Sequence, residues 1–375
     1  MTHRRYSLFT STFKIILLIL VLEAVGSAQA TYTITDLGTV GGSISSGLGI
    51  NASGQVTGSS DPHAFLYSRG TMTDLGTLGG PTSVGRGING SGQVTGQADT
   101  SATNTHAFLY SQGVMNDLQT LPGYSNSIGW GINAAGQVTG YSYLFGSSAF
   151  RAFVYSSGTL TDLGTLGGAS SFGYGINASG QITGQADTTT PNASHAFLYS
   201  AGTMTDLGTL PGFANSAGYS INALGQIIGE CDTNNGPLHA FLYSGGTMTD
   251  LGTLGGTQSW AFSINDSGQV VGWSKNTPNV PDFFARAFLY TSASGMVDLN
   301  TLVPPNSGWT LQEAHSINDR GQITGFGISP DGDQHAFLLT PIPARAAGAG
   351  TSPVANAKLY LEKIYDRPRS EKTEN

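Results

Sequence analysis

The sequence predicts an all-β fold, a seven-bladed β-propeller with four short strands per blade whose ring closes by pairing the N-terminal and C-terminal strands. Three observations predict it. The first is repetition. A-F-[LV]-[YL] has its Ala at 64, 107, 152, 196, 240, 287 and 336, and D-L has its Asp at 36, 74, 117, 162, 206, 250 and 298. I-N-x-x-G-Q has its Asn at 51, 89, 133, 177, 222, 265 and 318, with spacings of 38, 44, 44, 45, 43 and 53 residues. That is the period of a propeller blade. The second is strand content. One unit reads H-A-F-L-Y-S (63–68), a tight turn, T-M-T-D-L-G (71–76), a Gly-rich connection, a strand ending at Ile88-Asn89, and Q-V-T-G (93–96). No window carries sustained helical periodicity. The third lies at the ends. The chain enters on a second strand, T-Y-T-I-T-D-L-G (31–38), and leaves on a first strand, H-A-F-L-L-T (335–340). If the two meet, the ring closes with no open edge. An open solenoid explains the period but wants a capping unit at each end, and none is visible.

Taken in order, residues 1–30 read as a signal peptide. Arg4, Arg5 and Lys14 precede an apolar run at 15–22, and Ala28-Gln29-Ala30 supplies a cleavage signal. The run falls short of the about 20 apolar residues of a membrane span, so the mature chain is expected outside the cytoplasm, secreted or periplasmic, with no transmembrane segment. Residues 31–340 form the seven repeats. Residues 341–375 read as a linker and a disordered tail, with A-K-L-Y-L-E-K-I-Y-D as a possible short helix.

The N-x-x-G-Q segment fits a type I turn with Asn at its first position and Gly in the left-handed region, the hairpin loop joining the third and fourth strands. A calcium loop needs several oxygen ligands at alternating positions, and most copies offer only the Asn and a Ser. Asn51, Asn89, Asn177 and Asn265 also stand in N-x-S, the pattern of a glycosylation acceptor, but the turn accounts for them.

A second repeated pair looks structural. With Arg69-Gly70 at a hairpin tip, Phe65 faces Asp74, and His63 becomes a diagonal neighbour of Asp74. The donor position reads His63, His106, Arg151, His195, His239, Arg286 and His335, against Asp74, Asp117, Asp162, Asp206, Asp250, Asp298 and Asp36. Arg cannot ligate a metal, so the exchange of His for Arg argues against metal binding and against a general base. A His/Arg–Asp link in all seven blades is the expectation.

A single site must come from what differs between blades. Two residues before each I-N stand Leu48, Arg86, Trp130, Tyr174, Tyr219, Phe262 and His315, each followed by Gly or Ser. By symmetry these side chains form a ring, and aromatics beside an Arg and a His suit stacking on sugars or flat rings. The same positions would also serve as packing between blades. The connection between fourth and first strands varies in length and carries Asp61, Asp99, Asp187, Asp232, Asp282, Asp331 and Asp333. These loops should emerge on one face as an acidic rim able to attract calcium, or act as plain turn formers. The last unit is the most individual. Its Glu313 and His315 form a candidate acid/base pair at i, i+2, but no second carboxylate is placed for glycosidase chemistry. No nucleophile elbow, zincin motif, P-loop or dinucleotide fingerprint occurs.

Composition narrows the partners. The 375 residues hold 15 Lys+Arg and 23 Asp+Glu. Without residues 1–30 the counts are 12 and 22, a net charge of −10. Between 31 and 340 the basic side chains are Arg69, Arg86, Arg151, Lys275, Arg286 and Arg320. No cluster of them could neutralise a phosphate backbone, so nucleic acid is excluded. The one cysteine, Cys231, cannot form an intramolecular disulfide and is expected as a small buried apolar residue. A monomer is expected.

The H-A-F-L-Y, T-D-L-G-T-L-G-G and G-I-N-x-x-G-Q-V-x-G copies resemble the HAF-family extracellular repeat of bacterial proteins, over essentially residues 31–340. The resemblance implies an exported bacterial repeat protein and supplies no catalytic residues. Some similar proteins end in an exosortase-type anchor; here T-P-I-P-A-R is followed by no apolar anchor. The function expected is a non-catalytic module binding glycan or extracellular protein, without cofactor. The alternatives are a polysaccharide hydrolase or lyase using Glu313 and His315, and a purely structural surface protein.

Overall fold

The computed structural model describes residues 32–101, 104–233, 236–277 and 285–343. The expected leader, nearly all of the tail with its short helix, and Asp282 lie outside them. The described chain forms seven four-stranded antiparallel sheets. In the first blade the strands run from the axis outward as Ser45–Ile50, Val56–Ser60, His63–Ser68 and Thr71–Asp74. Among the described residues the one helical element is a 3-10 turn, Leu299–Thr301, and no helix is long and apolar enough to cross a membrane.

The ring closes as the two ends of the sequence require. Tyr32–Asp36 pairs antiparallel with Gln334–Pro341, from Tyr32 opposite Pro341 to Asp36 opposite Phe337. It is the outer strand of the seventh blade, whose other three strands come from the C-terminal end. The blade boundary, however, falls half a unit away from the one drawn from the sequence. H-A-F-L-Y-S and T-M-T-D are the two outer strands of one blade, and the strands on either side of the next I-N turn are the two inner strands of its neighbour. The reason is local. Ser60 pairs directly with His63, so the connection drawn as a boundary is a hairpin inside a sheet. The Gly-rich T-L-G-G segment is the step between blades.

The core sits between blades. Phe65, Phe108, Phe153, Phe197, Phe241, Phe288 and Phe337 are fully buried, as is the Ala before each. Each apolar cluster joins one blade to the next; Ala64 and Leu75 of the first blade pack with Ile88, Val94 and Phe108 of the second. Closure uses the same contact, Ala336 and Leu37 against Ile50, Val56 and Phe65.

One interface position is matched residue to residue. Thr57 on a second strand donates to Phe65 O and fills the space where Gly85 of the next blade would carry a Cβ. The Thr/Gly pairing recurs at Thr95/Gly129, Thr139/Gly173, Thr183/Gly218 and Thr324/Gly47. Where the second strand carries Ile228 or Val271 instead, the facing residue is Ala261 or Ala314, and each pair shares a buried cluster.

Candidate functional site: the axial channel

The innermost strands surround an axial channel with two ends of different character. At one end the seven Asn side chains form a closed belt. Each Oδ1 accepts the N–H groups two and four residues on; for Asn51 these are Ser53 N and Gln55 N, both at 3.0 Å. The Gly of the turn has a left-handed φ, +79° at Gly54 and +72° at Gly321, which a residue with a Cβ adopts at a cost. Each Nδ2 then reaches the next blade. Asn51 donates to Asn89 O (3.0 Å), Asn89 to Asn133 O (3.1 Å), Asn133 to Asn177 O (3.2 Å) and Asn177 to Asn222 O (3.1 Å). Asn222 donates to Asn265 O and Asn265 to Asn318 O, both at 3.1 Å, and Asn318 returns to Asn51 O at 2.9 Å. The second Nδ2 hydrogen goes to the Gln of the same turn, as at Asn51 to Gln55 (2.8 Å). All four candidate acceptors for glycosylation are therefore 3–5% exposed with their amides engaged, and the motif is scaffold.

Two residues upstream of each Ile the strands stop repeating. In every blade the pairing of the innermost strand slips by one residue there, between Gly47 and Gly49, Gly85 and Gly87, Gly129 and Gly131, and Gly173 and Gly175. The same slip lies between Gly218 and Ser220, Ala261 and Ser263, and Ala314 and Ser316. The extra residue is Leu48, Arg86, Trp130, Tyr174, Tyr219, Phe262 or His315. A β-bulge frees its residue from the ladder and re-aims the side chain, and all seven line one cavity of about 230 Å³. Where the residue after the bulged one is Gly, the neighbouring backbone leaves a Cβ too little room. A Cβ at Gly87 would stand 2.8 Å from Trp130 O, and one at Gly131 2.7 Å from Tyr174 O. At Ser263 and Ser316 the hydroxyl accepts from Ile317 N and Ile50 N, at 3.3 Å.

Six of the seven touch in sequence as a collar. The Arg86 guanidinium lies 4.1 Å over the Trp130 ring. Trp130 meets Tyr174 edge-on at 5.0 Å, Tyr174 stacks on Tyr219 at 5.0 Å, and Tyr219 meets Phe262 at 6.4 Å. Phe262 stacks on His315 at 4.5 Å. The rings thus pack against one another and line the channel at once; the two expectations are not exclusive.

Behind the collar stand residues that the repeat pattern did not single out. Gln97 Oε1 accepts from Arg86 Nη2 (3.0 Å) and Nε (3.3 Å). Glu230 Oε1 accepts from the Tyr219 hydroxyl at 3.1 Å, while its buried Oε2 has no hydrogen-bond partner among the described residues. Trp260 packs on Tyr219 and Phe262, and Phe172 and Tyr141 extend the aromatic layer beyond Tyr174. Gln97, Tyr141 and Glu230 all occupy the position after Q-[VI]-[TI]-G, which also varies from blade to blade, and that variation was the available signal. Burial pushes the Glu230 carboxyl up to about 8, helped by the nearby Asp232 charge and opposed by the Tyr219 hydrogen bond. Burial raises the Tyr174 and Tyr219 hydroxyls and lowers the Arg86 guanidinium.

The catalytic candidates Glu313 and His315 come together, Oε2 and Nε2 lying 3.1 Å apart, and His315 belongs to the collar. The His/Arg–Asp positions lie far from it on the outer strands. His63 Nδ1 is 2.8 Å from Asp74 Oδ2, and the same contact is made by His106–Asp117, His195–Asp206, His239–Asp250 and His335–Asp36, at 2.8–3.0 Å. Arg151–Asp162 is longer, at 3.8 Å. The expected seventh link fails: among the described residues Arg286 makes no ion pair with Asp298. Like the other six Asp residues, Asp298 accepts the N–H two residues on, here Asn300 N, and it alone also accepts a side-chain amide, Asn300 Nδ2, as it caps the 3-10 turn.

Three of the six described residues of the expected acidic rim accept hydrogen bonds from neighbouring groups. Asp99 accepts from Thr82 and Thr105 hydroxyls, Asp187 from Ser170 N, and Asp232 from Asn215 Nδ2. Among the described residues no group of three His, Cys, Asp or Glu side chains is arranged to hold a metal ion. Cys231 is fully buried, and burial pushes its thiol up to about 12.

No protein-family model matches the chain, and no curated protein does. Solved structures similar to it include a protein assigned as TolB from Agrobacterium tumefaciens, 13% identical with a TM-score of 0.45, covering 84% of this chain and 99% of that one. A gluconolactonase from Xanthomonas campestris is 8% identical with a TM-score of 0.41, covering 83% and 90%. A prolyl endopeptidase is 12% identical with a TM-score of 0.49, covering 69% of this chain and 42% of its own. At these identities and scores the likeness adds nothing to the reading of the channel.

Proposed function

We propose that the chain is an exported, non-catalytic binding module that holds a ring-bearing ligand, a glycan unit in the first place, in the collar of its axial channel. One observation carries the reading. Seven bulges deliver six kinds of side chain to one cavity, each between a Gly or Ala and a Gly or Ser that hardly vary from blade to blade. A bulge costs ladder bonds in every blade, and a purely structural ring would be served by seven copies of one residue. The leader-like residues 1–30 and the resemblance to an extracellular repeat support a place outside the cytoplasm.

The test is a thermal-shift screen of the full chain against a panel of cell-wall and plant oligosaccharides. A ligand that binds only the folded state raises the unfolding midpoint by mass action. The expected result is a saturable rise with one glycan class that is lost in Trp130→Ala. A rise that survives Trp130→Ala would place the ligand elsewhere.

A second reading, a hydrolase or lyase, rests on the Glu313–His315 contact. Among the described residues Glu230 is the one carboxyl that burial raises to about 8, and its partner Tyr219, rather than Glu230, lines the cavity. That arrangement places no second carboxyl beside the pair in the cavity lining among the described residues. Release of reducing ends from a bound polysaccharide, abolished by Glu313→Gln, would restore this reading.

A further inference from the structure

The collar's guanidinium, Arg86, has no ion-pair partner among the described residues. Arg86 enters the channel from its bulge. Its contacts are the neutral Gln97 oxygen and the Trp130 ring. A guanidinium carries five N–H donors. Two of its nitrogens, Nε and Nη2, share Gln97 Oε1, and Nη1 is left for another acceptor. A buried charge without a counter-ion is costly, and a chain with a net charge of −8 does not lack carboxylates to supply one. The carboxyls behind the collar are engaged elsewhere, Glu230 by the Tyr219 hydroxyl and Glu313 by His315.

The guanidinium is planar, and its contacts with the Trp130 ring and Gln97 Oε1 hold it in place. Arg is the side chain that meets carboxylates in a two-pronged, planar contact. One positive charge balances one negative charge; a phosphate ester, near two charges at neutral pH, would leave an excess in an aromatic-lined space. The cavity, about 230 Å³, lies below the range of about 300–1,000 Å³ typical of drug-sized ligands, and so admits about one ring.

We infer that the collar takes a ligand with a single carboxylate on one ring, the carboxylate pairing with Arg86 and the ring lying among the aromatic side chains of Trp130, Tyr174 and Tyr219. This inference rests on the channel being the binding site, and it adds the charge. A sugar acid and an aromatic acid share this chemistry, and the experiment separates them.

The experiment is titration calorimetry of the full chain with galacturonate, galactose, benzoate, benzamide and inorganic phosphate. The expected result is that one acid binds and its neutral counterpart binds at least about tenfold more weakly, as befits a lost charge-assisted contact. Galacturonate as the binder identifies a sugar acid, and benzoate an aromatic acid. Arg86→Met keeps the stem over Trp130 and should weaken that acid about tenfold to a hundredfold without lowering the unfolding midpoint. Arg86→Lys keeps the charge, loses the planar fork, and should fall between. Equal binding of galacturonate and galactose, or of benzoate and benzamide, overturns the carboxylate inference and leaves the channel reading intact. Phosphate binding as tightly as the acids overturns it too. Binding by none of the probes, with a channel-dependent glycan found in the screen above, overturns the inference alone; no binding in either experiment overturns both.

Discussion

The two ends of the axial channel lie three residues apart along the chain and obey opposite rules. At the Asn belt all seven blades carry the same residue, and each amide completes its own turn and then the next. At the collar six residue types occupy seven positions, and each is lifted out of its ladder by a bulge. The difference teaches how a repeat protein can hold a site. Cyclic hydrogen bonds from the belt fix the radius of the ring, which leaves the residues just upstream free to differ. Identity marks the scaffold, and difference within an otherwise constant motif marks the place for a ligand.

The comparison can be broken most directly at the belt. Asn133→Ala removes four hydrogen bonds, to Ala135 N, Gln137 N, Gln137 Oε1 and Asn177 O, and leaves buried partners unsatisfied. It should cost about 3 kcal/mol or more, read by denaturant unfolding. A loss below about 1 kcal/mol would mean that the belt is not the fold's hoop.

Next comes the carboxyl behind the collar. Glu230 is held at about 8 in the folded chain, against about 4.3 unfolded. Between those values the unfolded state binds fewer protons, so stability is full at about pH 4 and falls as pH rises through about 8. Glu230→Gln should remove that fall, leaving the variant more stable than the parent by a few kcal/mol above about pH 8 and equal to it near pH 4. Identical pH profiles for the two would contradict the burial of this group.

The blade interface sharpens the comparison by showing constancy of another kind. Gly85→Ala should cost about 1–3 kcal/mol, since the new methyl meets Thr57. Combined with Thr57→Val it should cost less than the two single changes together, because two other interfaces already pair a β-branched apolar residue with Ala. Strict additivity would show that the matching is fortuitous.

The smallest effect belongs to the outer clamps. Burial alone would raise the Asp74 carboxyl, but the His63 hydrogen bond, the Gly76 N–H and the His63 charge hold it below its usual value. The clamp's contribution is therefore present above the usual carboxylate pKa and lost as pH falls through the lower folded value. At this exposure it is worth less than about 1 kcal/mol. The stability difference between the parent and His63→Ala should shrink toward zero as pH falls below about 4, and a difference that persists there would exclude the clamp as its cause.

The fold was legible because the repeat is nearly literal. Three signatures in fixed order gave the blade count, and the unmatched strands at 31–38 and 335–340 gave the closure. The phase was not, since nothing in H-A-F-L-Y-S says whether the strand before it is a partner or a neighbour; the direct pairing of Ser60 with His63 decides that. The collar positions were legible as the variable residue before a small one. Their bulges were not, because one extra residue leaves no mark on a strand already full of glycine. Arg286–Asp298 was misread because D-L-N-T caps a 3-10 turn where the other copies have D-L-G-T or D-L-Q-T. Glu230 escaped because its importance comes from a Tyr219 supplied by another strand.

The central claim is that the belt holds the fold and the collar holds the ligand. The measurement that tests it most directly compares Trp130→Ala with Asn133→Ala, three residues apart along the chain, for unfolding free energy and for binding of the glycan or acid that the full chain takes. The account predicts that Trp130→Ala loses binding and retains most of its stability, and that Asn133→Ala loses the larger share of stability. If Trp130→Ala binds like the parent, or unfolds as readily as Asn133→Ala, the collar is packing and the account is wrong.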